Sequence, residues 1–66
     1  MAKITAVSIY EFYGTEWADV MYESGRLYYH PVKELPKTVI EWLVGKTGAT
    51  WYNRTLERNV TTYREV

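Results

Sequence analysis

Between Tyr22 and Leu27 the chain has to reverse direction. Ser24-Gly25 is a short turn signal, and the stretches on either side alternate in character. A two-residue loop there sets Glu23 opposite Arg26, Tyr22 opposite Leu27, Met21 opposite Tyr28, Val20 opposite Tyr29 and Asp19 opposite His30. Side chains alternate between the two faces of a strand. One face of this hairpin then carries Ala18, Val20, Tyr22, Leu27 and Tyr29. The other carries Trp17, Asp19, Met21, Glu23, Arg26, Tyr28, His30 and Val32, with two opposite-charge pairs flanking a Met–Tyr pair. Cross-strand pairs of this kind contribute roughly 0.2–1 kcal/mol each.

The rest of the chain supplies the partners a hairpin needs. Residues 3–12 are rich in Ile, Val, Thr, Tyr and Phe, which suit a strand, and Tyr13-Gly14-Thr15-Glu16 supplies the turn after it. The hairpin strands are expected over 17–23 and 26–32. Pro36 suits the first turn of a helix, and Val39, Ile40, Leu43 and Val44 recur at helical spacing beside Trp42. Gly45 is a stop signal, with Lys46 near the negative helix end. A second, short helix is expected over 50–58, capped by Thr50 and pairing Tyr52 with Leu56. Residues 60–65 read as a closing strand. The expected fold is one α+β domain over residues 1–66. It has an antiparallel sheet of three to four strands and one main helix, in the order β-β-β-α-(α)-β.

A chain of 66 residues buries only about 60% of the surface its unfolded form exposes, so it needs help from staples or dense packing. Cysteine is absent and there is one histidine, which removes disulfides and leaves no ligand cluster for zinc. Three Trp, seven Tyr and one Phe are the resource that remains. No secretory leader and no apolar run long enough to span a membrane is visible, so the cytoplasm is the expected compartment and the two Asn-x-Thr sequons are chance matches.

Charges cancel overall. Lys3 and Arg26 are outnumbered by Glu11, Glu16, Asp19 and Glu23 in the first half. Lys33, Lys37, Lys46, Arg54, Arg58 and Arg64 outnumber Glu34, Glu41, Glu57 and Glu65 in the second. Proteins that live on phosphate contacts carry a clearer positive excess.

No motif carries catalysis or a cofactor. Gly45-Lys46-Thr47 echoes the end of a phosphate-binding loop, but that motif needs a glycine at position 40, which is Ile40, and a preceding strand. Asp19 and His30 resemble an orienter and a base, yet Ser8 and Ser24 are the only hydroxyl nucleophiles of the serine type, and Ser24 belongs to the turn. The carboxylates are scattered singly. No enzyme, metal or cofactor is expected. The unusual feature is the aromatic hairpin face. Trp17, Met21, Arg26, Tyr28 and His30, joined by Arg54 and Arg58, are the candidate binding residues, because such types dominate interface cores. Aromatic strands also serve as stacking platforms for single-stranded bases.

From Tyr22 onward, over about residues 22–63, the chain resembles the KTSC domain found at the C-terminus of some lysyl-tRNA synthetases. The matching features are Tyr22-Glu23-Ser24-Gly25-Arg26-Leu27-Tyr28, Leu35-Pro36 before a helix, Thr47-Gly48-Ala49-Thr50-Trp51-Tyr52-Asn53, and Tyr63. His30 stands where the second Tyr of the central Tyr-x-Tyr would be. The resemblance implies RNA binding through Tyr28, with His30 in the second position. Free-standing KTSC-like proteins of this length also look like phage or mobile-element accessory proteins, which act by gripping a host protein. The expected function is therefore a non-catalytic protein-interaction or inhibitor module, whose partner is another protein or a second copy of itself. An RNA or single-strand binding domain is the alternative.

Overall fold

The computed structural model describes residues 3–65. Strands β1 (Ile4–Phe12), β2 (Thr15–Tyr22) and β3 (Leu27–Pro31) form a meander. A 3-10 turn (Val32–Glu34) leads to helix α1 (Lys37–Leu43), and strands β4 (Gly48–Asn53) and β5 (Arg58–Arg64) close the fold. They make one antiparallel five-stranded sheet in the order β3-β2-β1-β5-β4, with one helix. The α+β class stands as expected, but the sheet is one strand larger.

The extra strand replaces the short helix expected over 50–58. Thr50, Trp51 and Tyr52 are β-branched or aromatic, and each finds a partner on β5. The Thr50 and Thr61 hydroxyls share a 2.9 Å hydrogen bond, and the Trp51 indole N–H donates to Thr62 Oγ1 at 2.7 Å. Asn53 turns the chain, because its Oδ1 accepts the backbone N–H groups of Thr55 (2.9 Å) and Leu56 (3.1 Å). A Tyr–Leu pair four residues apart on a helix contributes only about 0.2–0.5 kcal/mol, less than this ladder and its cross-strand pairs together.

The β2–β3 hairpin forms where expected but with a three-residue loop. Gly25 N–H donates to the Tyr22 carbonyl at 2.9 Å, and Tyr22 N–H to the Arg26 carbonyl at 2.9 Å. Gly25 sits at φ +91°, the left-handed residue of a turn with a glycine bulge. The true register pairs Met21 with Leu27, Val20 with Tyr28, Asp19 with Tyr29 and Ala18 with His30. Relative to the two-residue loop this is a slip of one position on β3, and such a slip exchanges the faces of every β3 side chain. The Glu23–Arg26 and Asp19–His30 pairs are therefore not made. The β1–β2 turn is tighter: Tyr13 (φ 50°) and Gly14 (φ 81°) both take the left-handed conformations of a type I′ loop.

A bulge at Thr5 lets Ile4 pair with Tyr22 and Ala6 with Met21. It resets the alternation, so Ile4 and Val7 both face the helix. With Ala18, Val20 and Val39 they make the buried core, which Ile9, Tyr22, Val32, Leu35, Trp42 and Leu43 surround. Each fully buried valine contributes roughly 1.5–3 kcal/mol. α1 buries Val39 alone, while Ile40 and Val44 of its periodic stripe face solvent. Gly45 (φ 78°) ends the helix. Lys46 Nζ then donates to the Trp42 carbonyl at 2.6 Å and lies 4.1 Å from the centre of the Trp42 ring. Gly45-Lys46-Thr47 is thus a helix end and not a phosphate loop.

A candidate binding face on the helix-free side of the sheet

One side of the sheet is covered by α1, and the strand registers determine what lies on the other. Paired residues point to the same side. Arg64, Ala6, Met21 and Leu27 make one row across the open side, and Ala49, Thr62, Ser8, Asp19 and Tyr29 the next. Trp51 with Val60, then Tyr10, Trp17 and Pro31, make the third. Asn53 with Arg58, and Phe12 with Thr15, make the last.

The floor of this face is buried although no second layer lies on it. Val60 is 1% exposed, and Ala6 and Thr62 are each 6% exposed, because larger side chains rise around them. The result is a trough made of three depressions. One of about 460 Å³ is lined by Tyr10, Phe12, Trp17, Asp19, Tyr29 and Leu56. One of about 220 Å³ shares Asp19 with it, and also shares Trp51, Thr62 and Arg64 with a third of about 490 Å³ towards β4. Phe12, Met21, Leu27, Tyr29 and Trp51 are 40–62% exposed on its walls.

Polar groups in the trough are bonded to one another. Thr62 Oγ1 is 3.0 Å from Ser8 Oγ and also receives the Trp51 indole N–H. The Tyr10 hydroxyl donates to Asp19 Oδ1 at 2.9 Å. Burial raises the Asp19 carboxyl above the ordinary aspartate value, and the Tyr10 hydrogen bond offsets part of that rise. Burial, then the Asp19 hydrogen bond and charge, push the Tyr10 hydroxyl up to about 12. Arg58 is fastened at the rim, donating to the Leu56 carbonyl (2.8 Å) and the Glu11 carbonyl (2.6 Å). Its guanidinium carbon lies 4.7 Å from the Phe12 ring centre.

The seven residues expected to bind do not share one surface. Trp17, Met21 and Arg58 lie on the open face. Tyr28 and His30 stand on the helix side of β3, across from Val20 and Ala18. Tyr28 packs edge-on against Tyr22 (5.5 Å between ring centres), and the Arg26 guanidinium reaches its hydroxyl at 3.5 Å. Arg54 lies in the exposed β4–β5 turn. A one-residue change of register is the cause for Tyr28 and His30. Tyr10, Phe12, Tyr29 and Trp51 were not expected at the site. The signal for the first two was present in β1, where Ser8, Tyr10 and Phe12 share one parity.

Among the described residues no group of three or more His, Cys, Asp or Glu side chains is placed to hold a metal ion. No helix among those residues is long and apolar enough to cross a membrane. No family model, no curated protein and no solved structure matches this chain.

Proposed function

We propose that this chain is a non-catalytic protein-binding module whose contact surface is the open face of the sheet. The observation that carries this reading is a continuous aromatic-walled trough over a buried floor, left uncovered by α1. Contiguous apolar surface of this kind marks interaction sites, and Trp, Tyr, Phe, Met and Arg are the residue types that interface cores concentrate. The partner class follows the KTSC resemblance: a host protein gripped in the cytoplasm by an accessory or inhibitor protein of phage or mobile-element type.

The same rings would stack on single-stranded bases. A nucleic acid also needs a track of free cations for its phosphates. Here the open face carries Arg58, already bonded to two carbonyls, and Arg64, with the Asp19 carboxylate between the walls. That favours protein over RNA.

The test is a pull-down with the immobilised chain, with and without nuclease. Trp17→Ala and Tyr29→Ala should abolish capture, while Tyr28→Ala, on the other side of the sheet, should leave it intact. Capture that disappears with nuclease or falls steeply with salt would move the reading to nucleic acid. Capture that depends on Tyr28 but not on Trp17 would remove the open face from consideration.

A specific observation also favours self-association. β4 is an edge strand, and Gly48-Ala49-Thr50-Trp51-Tyr52-Asn53 contains neither charge nor proline to deter a second strand. A homodimer built on β4 would show as a concentration-dependent mass in sedimentation, abolished by Thr50→Lys with Tyr52→Lys.

A further inference from the structure

We infer that the hollow between Tyr10, Phe12, Trp17 and Tyr29 is a receptor for one cationic side chain of a protein partner, a guanidinium or alkylammonium, with Asp19 as its counter-charge. This rests on the open face being a protein-binding surface and names the chemistry that face selects.

The first support is the isolation of Asp19. Its Oδ1 accepts the Tyr10 hydroxyl, and among the described residues its carboxylate makes no other side-chain hydrogen bond. The one ion pair among those residues joins Lys3 to Glu65 (3.5 Å) at the end of the sheet. A half-buried carboxylate with no cation beside it has lost part of its hydration, and the single Tyr10 hydrogen bond offsets only part of that loss, so a complementary charge is what it lacks.

The second support is the arrangement of the rings. Tyr10 is directly opposite Trp17, and Asp19 directly opposite Tyr29. Phe12 lies two residues beyond Tyr10 on the same side. Among the described residues the stacked or edge-on ring pairs are Phe12–Tyr13 and Tyr22–Tyr28. The rings of the hollow therefore stand around a space of about 460 Å³ without filling it by packing on one another. Aromatic faces attract cations, and a carboxylate among them supplies the charge that an apolar groove alone would not. The chain already uses this chemistry internally, with Arg58 over Phe12 and Lys46 over Trp42. Arg58, tied to the Glu11 and Leu56 carbonyls at the rim, covers Phe12 and its charge reaches Tyr10, so the side left for an incoming cation is the Asp19 side, between Trp17 and Tyr29.

The test is an NMR titration of the full chain with three blocked amino acids: Nα-acetyl-arginine methylamide, its trimethyl-lysine counterpart, and the neutral norleucine counterpart. The cationic probes should shift the Trp17 indole and Tyr29 amide signals and bind about ten-fold more tightly than norleucine. Asp19→Asn should erase that preference, and Tyr29→Leu, which leaves the carboxylate in place, should weaken both cationic probes. Equal binding of norleucine, or a preference that survives Asp19→Asn, would overturn the assignment. A short oligothymidylate that displaces the probes and binds more tightly than they do would overturn it as well. The probes need no partner, so the two readings fail separately. Trp17-dependent protein capture without probe binding leaves the open face and removes the cation receptor. Probe binding with nuclease-sensitive capture leaves a cation site in the hollow but removes the protein partner, and so overturns the assignment to a partner's side chain.

Discussion

The Tyr10 hydroxyl donates a 2.9 Å hydrogen bond to Asp19 Oδ1 across the β1–β2 ladder, on the side of the sheet that the helix leaves bare. Each group alters the other's titration, and burial raises both. The folded chain therefore holds a proton more tightly than the unfolded chain in two separate pH ranges.

At the alkaline end, Tyr10 moves from 10.0 to about 12 on folding. A raised folded-state value means that the stability contribution is complete below pH 10 and is lost as pH climbs towards 12. Denaturant midpoints should fall through that window, and Tyr10→Phe should flatten the fall. Ultraviolet difference absorbance should show a tyrosine ionising near pH 12 that the Phe variant lacks. An unchanged slope in the Phe variant would contradict the assignment.

At the acid end the sign is the same, which is unusual for an aspartate. Burial raises the Asp19 carboxyl, so the fold becomes less stable as pH rises through the carboxylate range and the group ionises. Asp19→Asn keeps an oxygen for Tyr10 and removes the charge. It should raise the melting temperature at neutral pH and leave it nearly unchanged in strong acid.

Gly25 occupies φ +91°, open only to glycine at low cost, and nothing lies within 4 Å of where a Cβ would be. Gly25→Ala should therefore cost backbone strain alone, about 1–2 kcal/mol by chemical denaturation. Ser24→Ala, one residue earlier, should be close to neutral.

Gly48 has an ordinary backbone and a crowded surrounding. A Cβ there would lie 2.6 Å from Thr61 Cγ2 and 2.7 Å from two Tyr63 ring atoms. Gly48→Ala should cost about 1–3 kcal/mol through overpacking. Adding Tyr63→Leu to the variant should recover part of the loss, which a backbone effect would not permit.

Periodicity and composition locate β1, β2, β3, α1 and β5 within a residue or two: a glycine or proline bounds each of the first four, and β5 is marked by its Val60-Thr61-Thr62-Tyr63 run alone. They do not locate β4, whose alternating Ala49, Trp51 and Asn53 acquire meaning only beside Thr62, Val60 and Arg58. Nor does Ser24-Gly25 reveal its own loop length. A two-residue type I′ loop needs Ser24 as well as Gly25 at positive φ, and Ser24 does not adopt it. That single angle moves Tyr28 and His30 away from Trp17 and brings Tyr29 and Leu27 to it. The candidate face was therefore readable in its β2 residues and reversed in its β3 residues. In β1 the shared parity of Ser8, Tyr10 and Phe12 carries the signal, but it gains a surface only once β1 is paired to Trp17 and Asp19.

The central strand β1 leans on β2, its immediate successor, and on β5, which follows after the helix and β4. Ser8 and Thr62, which touch, are 54 positions apart. Such distant pairing slows folding. Until β5 docks, one edge of β1 with Val7 and Ile9 is bare, and a neighbouring nascent chain can claim it first. Refolding yield should thus drop with protein concentration even where the finished fold stays soluble, so the interval before β5 arrives is the most hazardous in the molecule's life.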